Sequence, residues 1–420
     1  MKIVYIVGAG FSKSIDGCVP VMNDFFEKAI ELIDENVAWL VFAAAERARA
    51  FPDEPEIENL GTKMGVIGEY LSNNNDCCKN QDCQLKGKLE EGLRNTRQQY
   101  KKVFLSDTKR KKANLEDVFG KMEAHKDVER DNDANDTYVR LQFLINRLFN
   151  NLDKRLENES LRAAHFDLSE YVKTADNLEH IFISFNYDLW LEKAFFKNGI
   201  WHPRDGHGTY LFEHYAKPEK DISQNMKPNG VVEVSNKFVE TKEFSEKCQK
   251  ARVKVLKPHG SLAWRFGKVI ERGVVLVESD ENPCVTYNPT WFYPPVQHTD
   301  KKIDLKMTPL IVPPTPNKIR SHQLFWDTDK DMEKALLTAE VIVIIGWSMP
   351  DTDKNLNDII SRAINNRTKQ IKKLIVCDKD QTPSFYGRFE VLFRPQKIEY
   401  WNTGFNKDFV GFLANEIGKV

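Results

Sequence analysis

Short runs of apolar, β-branched residues recur along this chain, and several of them lead directly into a helical pattern. The five runs cover residues 3–7, 181–185, 253–256, 341–345 and 374–377. Such continuous apolar runs are typical of strands that are buried on both faces of a parallel sheet, whose strands are joined by crossover helices. The pattern therefore predicts an α/β fold with a parallel sheet of about six strands.

Residues that start and stop helices support this arrangement. Asp188 can cap a helix over residues 189–197, where Gly199 then supplies the stop. A further unit runs from the fourth apolar run into a helical pattern over residues 356–363, and the next strand follows at Lys373. This spacing suits a crossover connection between parallel strands.

The domain organisation follows from the spacing of the strands. Residues 1–34 form the first part of the α/β domain, and about 140 residues that no crossover needs separate them from the second run. We interpret residues 35–175 as a helical insertion because their apolar residues have helical spacing. Residues 176–420 complete the domain, with smaller insertions at residues 201–252 and 270–330.

Two stretches in these smaller insertions carry signals of their own. Residues 231–239 alternate well enough for a strand, whereas residues 280–316 are rich in proline and are expected to be mostly irregular. Neither stretch contributes to the predicted parallel sheet.

Composition excludes several classes of protein. The 61 Lys and Arg nearly cancel the 62 Asp and Glu, so no global charge indicates a nucleic acid or a membrane as partner. The N-terminal apolar run is too short for a signal-peptide core, and no other run approaches the length that spans a bilayer. The seven cysteines are scattered, as in reduced cytosolic proteins. We expect a cytoplasmic protein without disulfides, and the near-zero net charge is compatible with a homo-oligomer.

The first candidate binding motif directly follows the first strand and consists of Gly8, Ala9, Gly10, Phe11 and Ser12. Glycines there let the backbone turn tightly and approach a pyrophosphate, whose charge backbone N–H groups can meet. A glycine turn that only packs against its neighbours explains the same residues, because the third glycine of the dinucleotide fingerprint is absent.

Polar residues also follow the second and third strands. Asn186 and Asp188 lie at the end of the second run, where ligands bind in open α/β sheets, although Asp188 also suits a helix cap. His259 follows the third run between Pro258 and Gly260, and it is the residue there that titrates near neutral pH. His259 is therefore the candidate general base, with an ordinary core or surface histidine as the alternative.

The fourth run ends in another glycine turn, which contains Gly346, Trp347 and Ser348. The Ser348 hydroxyl suits a ribose or phosphate oxygen. Taken alone, this segment is also explained as a simple turn.

In this order, the four motifs resemble the NAD site of the sirtuin-like family, and the fold that this implies is Rossmann-like. The forms GAGFS, FNYD, HGS and GxSMPxTD are most similar to those of bacterial sirtuin-like NAD glycohydrolases of antiphage defence. The matching segments cover roughly half the chain. The resemblance implies NAD+ as substrate and cleavage of NAD+ to nicotinamide and ADP-ribose.

The resemblance also implies roles for individual residues. Asn186 and His259 would be the catalytic pair, and Asp188 would support the nicotinamide side of the pocket. The residues implied to hold the phosphates and the adjoining ribose are Gly8, Ala9, Gly10, Phe11 and Ser12. Pro20 and Asp24 would close that loop. Gly346, Ser348 and Asp378 would line the adenosine half of the site.

No metal is expected. The zinc module of deacylase sirtuins has two C-x-x-C pairs between the HG and G-x-S motifs, and this chain has only Cys284 there. Cysteines at 77, 78 and 83 lack a clear fourth ligand, and the histidines at 202, 207 and 214 lack the spacing of a metal site.

The resemblance further implies control by an oligomer or by a separately encoded partner, such as a HerA-type ATPase, because uncontrolled NAD+ hydrolysis would harm the host. Contact with nucleic acid through the basic residues 109–112 is left open. The main alternative function is a non-catalytic NAD-binding sensor or scaffold. A deacylase is disfavoured by the missing zinc module, and a nuclease by the lack of a carboxylate cluster for two metals. The insertion at residues 35–175 has no predicted function.

Overall fold

The structure is a computed structural model of the 420-residue chain. The residues that it describes are 1–15, 19–20, 24–32, 82–106, 115, 117–120, 144–145, 148–149, 151–152, 163–202, 206–207, 251–269, 273–277, 303–312 and 323–420. The stretch at 231–239 and the basic residues at 109–112 lie outside them, so their predicted strand and nucleic-acid contact stay predictions.

The main sheet has six parallel strands in the spatial order β3-β2-β1-β7-β8-β9. These strands are β1 (Lys2–Val7), β2 (Glu179–Ser184), β3 (Val253–Leu256), β7 (Val341–Ile345), β8 (Lys373–Cys377) and β9 (Lys397–Trp401). Numbered within the sheet, this is the 3-2-1-4-5-6 order of a Rossmann-like fold. The predicted α/β class is confirmed, and each of the five apolar runs forms one of these strands.

Helices cover both faces of this sheet. They are α1 (Ala9–Lys13), α4 (Ala163–Thr174), α5 (Trp190–Lys197), α6 (Gln323–Thr338), α7 (Lys354–Asn365), α8 (Pro383–Phe393) and α9 (Lys407–Ile417). Alternate residues of β1 enter two separate cores, with Tyr5 on the side of α4, α5 and α9 and Ile6 on the side of α6, α7 and α8. A strand buried on both faces has to be apolar at every position, which explains the continuous runs in the sequence.

A second sheet is antiparallel and has the order β5-β4-β6, formed by β4 (Gly260–Val269), β5 (Gly273–Val277) and β6 (Ile303–Ile311). The expectation of mostly irregular structure over residues 280–316 is wrong for β6. Proline is tolerated there because the pairing of β4 with β6 shifts register at Arg265, which faces Pro309, and such a bulge removes the need for an N–H donor.

The chain divides into two compact units. The first comprises Met1–Val19, Leu152–Val312 and Lys318–Val420, and it contains both sheets. The second comprises Pro20–Asn151 and Pro313–Asn317, and its described elements include α2 (Phe25–Leu32) and α3 (Asp82–Ser106). The domain bounds drawn from the sequence stay a prediction.

No helix in the described ranges is long and apolar enough to cross a membrane.

Candidate functional site

The order of strands in the main sheet reverses between β1 and β7. Ligands of open α/β sheets bind outside the carboxyl ends of the strands at such a switch point, because the two loops there diverge and leave a crevice. The turn that contains Gly8 follows β1, and the turn that contains Gly346 follows β7. The topology therefore puts the first and fourth sequence motifs side by side.

These two turns pack backbone against backbone. Gly346 has a φ of 58°, and a Cβ at this position would lie 2.5 Å from the Phe11 nitrogen. A Cβ on Gly8 would lie 2.5 Å from the Gly346 oxygen, and the Gly10 N–H donates to that same oxygen at 3.0 Å. The glycines are thus required by the contact between the turns, and their predicted approach to a pyrophosphate stays a prediction.

Side chains of the first and second motifs form a buried chain of hydrogen bonds. Asn186 Nδ2 donates to the Gly8 carbonyl and to Ser12 Oγ, both at 2.8 Å, and Ser12 Oγ donates to Asp188 Oδ2 at 2.6 Å. A carbonyl can only accept, so it fixes the orientation of the Asn186 amide. Both N–H groups of that amide are used, and Asn186 therefore offers its Oδ1 as an acceptor for a hydroxyl or a water.

Asp188 belongs to a buried cluster of charges beneath this chain. Lys257 Nζ lies 2.7 Å from Glu192 Oε1 and donates to the Asp188 carbonyl oxygen at 2.5 Å. Burial raises the pKa of Asp188 to about 6, while the Lys257 ammonium and the Ser12 hydroxyl oppose this rise. Lys257 thus bonds to the Glu192 carboxylate and to the Asp188 backbone, and its charge also acts on the nearby Asp188 carboxylate.

Asp188 also bonds to the helix that follows, although the N-cap of this helix is Leu189 and not, as the sequence had predicted, Asp188. Helix α5 begins at Trp190, one residue later than expected, and the Trp190 N–H donates to Asp188 Oδ1 at 3.3 Å. The capping interpretation and the functional interpretation of Asp188 are compatible, because its two carboxylate oxygens have different partners.

His259 is buried next to the second motif. Its Nδ1 lies 3.2 Å from the Phe185 carbonyl oxygen, and its Nε2 lies 3.2 Å from Asp353 Oδ1. The second contact has the distance of an ion pair without the alignment of a hydrogen bond. The His259 carbonyl accepts from the Val312 N–H at 2.8 Å. The strand end, the turn before α7 and the end of β6 thus fix the position of this histidine together.

The remaining predicted site residues are less closely connected. Ala9 and Ser348 are exposed at the carboxyl edge, and the half-buried Asp378 accepts from the Asp380 N–H at 3.0 Å. Pro20 and Asp24 belong to the second unit, where the Asp24 carbonyl accepts the first hydrogen bond of α2. The predicted roles of these five residues in binding NAD stay predictions.

Three residues of this region had no role in the sequence analysis, namely Lys257, Glu192 and Asp353. Each lies within or beside a motif: Lys257 begins the segment that contains His259, Glu192 lies one helical turn after Asp188, and Asp353 ends the GxSMPxTD form. Their burial is the missing signal, because a charged residue that is almost fully buried needs a partner, and the sequence does not show which one.

Two described histidines outside this region have structural partners. His207 is buried, with its Nδ1 3.0 Å from the Val255 carbonyl oxygen, and the His202 ring packs against Phe196. Cys77, Cys78, His214 and the side chain of Cys83 lie outside the described residues. Within the described ranges, no three histidine, cysteine or acidic side chains are grouped as a metal site requires.

No family model and no curated protein matches this chain. Among solved structures it is similar to a mutant Sir2 homologue in complex with ADP-ribose, with 12% sequence identity, 100% of this chain and 92% of that chain covered, and a TM-score of 0.39. A likeness of that degree carries no argument by itself. What the structure establishes is a Rossmann-like parallel sheet with a polar, partly charged group of side chains at its switch point.

Proposed function

We propose that this chain binds NAD+ at the switch point of its main sheet and hydrolyses the bond between nicotinamide and ribose. The observation that supports this best is the hydrogen-bonded chain of Ser12, Asn186 and Asp188, with His259 bonded to the backbone just before Asn186. An acceptor for a ribose hydroxyl or water and a candidate base thus lie at the place where Rossmann-like sheets bind dinucleotides.

In the proposed reaction, NAD+ and water give nicotinamide, ADP-ribose and a proton. The C–N bond breaks with its electron pair passing to nicotinamide, and the oxocarbenium-like ribose that remains forms a bond to the water oxygen. Asn186 Oδ1 orients the ribose or the water, and His259 takes the released proton. Such a base contributes a factor of about 10² to 10⁴ in rate.

The biological setting is proposed on the resemblance of the motifs. We propose that the chain depletes NAD+ in the cytoplasm as the effector of an antiphage defence system. We also propose that a homo-oligomer or a separately encoded partner, such as a HerA-type ATPase, controls it. A partner that orders the site before hydrolysis would protect an uninfected cell.

The test is consumption of NAD+, with products resolved by chromatography, for the wild type, Asn186→Ala and His259→Ala, each alone and with the protein encoded beside it. We expect release of nicotinamide by the wild type and a loss of about two decades or more in both variants. The matched control is His180→Ala, which also removes a buried imidazole.

His180 is a suitable control because it lies near the opposite edge of the sheet, where its Nδ1 is bonded to the Tyr5 hydroxyl at 3.0 Å. Burial lowers the pKa of His180 to about 4, so the ring is neutral in the assay. The rate per folded molecule should therefore stay within about threefold of the wild type. NAD+ that binds without being consumed under either condition would replace the hydrolase with a sensor or scaffold.

A further inference from the structure

The contact between His259 and Asp353 joins the third sequence motif to the end of the fourth. Their side chains are 7% and 5% exposed, and Nε2 lies 3.2 Å from Oδ1. Asp353 is the last residue of a short 3-10 turn (Asp351–Asp353) that leads from the Gly346 turn into α7. An ionised carboxylate that is this deeply buried is expensive unless a positive charge or a proton compensates it.

The hydrogen-bond partners of the ring fix its protonation. The Phe185 carbonyl can only accept, so Nδ1 of His259 carries a hydrogen. If Nε2 had no hydrogen, its lone pair would lie close to the carboxylate of Asp353, and the two would repel each other. A hydrogen on Nε2 removes this repulsion, and an imidazolium beside a carboxylate would satisfy both groups.

Other ionisable groups near His259 have partners of their own. Tyr187, whose ring lies 6.2 Å from the His259 ring, donates its hydroxyl to the Val312 carbonyl at 2.6 Å. Lys257 pairs with Glu192, and Asp188 accepts from the Ser12 hydroxyl. Among the ion pairs of the described residues, the one that contains His259 is formed with Asp353.

We propose that Asp353 is a positioning residue for His259 that also stabilises the protonated ring. The proposal rests on the proposed NAD+ hydrolysis. The molecules that can react are those in which the pair has lost this proton and has a net charge of −1. When the water oxygen bonds to the ribose carbon, one water proton passes to Nε2 of His259, the ring nitrogen that has no hydrogen, and Asp353 neutralises the imidazolium that forms. The proton then leaves to solvent and restores the starting state.

The kinetic test compares Asp353→Asn, which keeps the shape and removes the charge, with Asp351→Asn. Asp351 is an exposed carboxylate in the same 3-10 turn and serves as the matched control. We expect Asp353→Asn to lower kcat for NAD+ about a hundredfold with KM changed less than about threefold, and the acid limb of the pH–rate profile to move down by about one pH unit. Asp351→Asn should match the wild type in all three. If Asp353→Asn also matches the wild type, while His259→Ala is inactive, the positioning role is overturned and the hydrolase is retained.

A second readout does not depend on activity. The nine histidine rings can be labelled with ¹⁵N, and the spectrum of His259→Gln identifies the His259 signals. In the wild type, more than half of the His259 ring should be protonated on both nitrogens at pH 7, against about a quarter for an unperturbed imidazole. This measurement needs the wild type and His259→Gln but not Asp353→Asn, so it stands even if Asp353→Asn does not fold. A ring protonated on Nδ1 alone at pH 7 would overturn the proposal, whether or not the protein consumes NAD+.

Discussion

Two buried lysine–glutamate pairs lie at opposite edges of the main sheet. Lys257 Nζ lies 2.7 Å from Glu192 at the carboxyl edge, and Lys373 Nζ lies 3.0 Å from Glu416 at the amino edge, where β8 begins. Each lysine also donates to a backbone carbonyl, that of Asp188 in the first pair and that of Glu416 in the second. The two pairs have the same chemistry and similar burial.

Their surroundings differ in the sign of the excess charge. Lys419 and Lys373 both bond to Glu416, in that order of effect, and together they lower the pKa of this carboxyl to about 2. At the carboxyl edge, Lys257 instead has two acidic neighbours, and burial raises the pKa of Asp188 to about 6. The fold thus leaves a surplus ammonium group around Glu416 at the amino edge and a surplus carboxylate at the edge where the ligand is proposed to bind. Groups with a shifted pKa are concentrated at functional sites.

Replacement of each lysine by methionine tests this difference most strongly. Lys257→Met leaves Glu192 buried without its ammonium and should lower the free energy of unfolding by about 3–5 kcal/mol. Lys373→Met should cost only about 1–2 kcal/mol, because Glu416 keeps its contact with Lys419. Urea denaturation of both variants measures the two losses. Equal losses would show that Lys419 does not compensate the charge of Glu416 once Lys373 is replaced.

The same contrast extends to the backbone, because the carboxyl edge contains a glycine that no other residue can replace. Gly346→Ala forces an alanine into a φ of 58° with its Cβ against the Phe11 nitrogen, and we expect a loss of about 3 kcal/mol together with any NAD binding. The control is Gly411→Ala in α9, where a Cβ meets nothing within 4 Å. It should stabilise the protein by about 0.5–1 kcal/mol. Thermal unfolding compares the two, and a tolerated Gly346→Ala would contradict the tight packing of the turns.

The surplus carboxylate predicts a smaller effect that depends on pH. The pKa of Asp188 is higher in the folded than in the unfolded chain, so the folded state binds more protons between about pH 4 and pH 6, and stability falls as the pH rises through this range. Asp188→Asn removes this dependence. The free energy of unfolding of Asp188→Asn minus that of the wild type should therefore be about 2 kcal/mol larger at pH 7 than at pH 4. A difference between the two proteins that is independent of pH would show that Asp188 does not titrate in this range.

The strands of the main sheet were predictable for a physical reason. Burial on both faces leaves a continuous apolar run in the sequence, and five of the six strands have one. β9 escaped notice because it lies at the edge of the sheet, where Lys397 is exposed and the other residues, such as Glu399, are only half-buried. β6 was missed because Pro309 argues against a strand unless a bulge accommodates it.

At the site, the sequence alone determined which polar residues follow which strands. Because the strands are parallel, Ser12, Asn186 and His259 all had to reach the same edge of one sheet. Only the tertiary structure decided how these residues are bonded. Three features depend on contacts between distant segments: the direction of the Asn186 amide, the contact of His259 with Asp353, and the bonding of Lys257 to both Glu192 and the Asp188 carbonyl. A residue's type and spacing reveal what it can bond to, and packing selects the partner, because a buried polar group has to take whichever partner the fold places within reach.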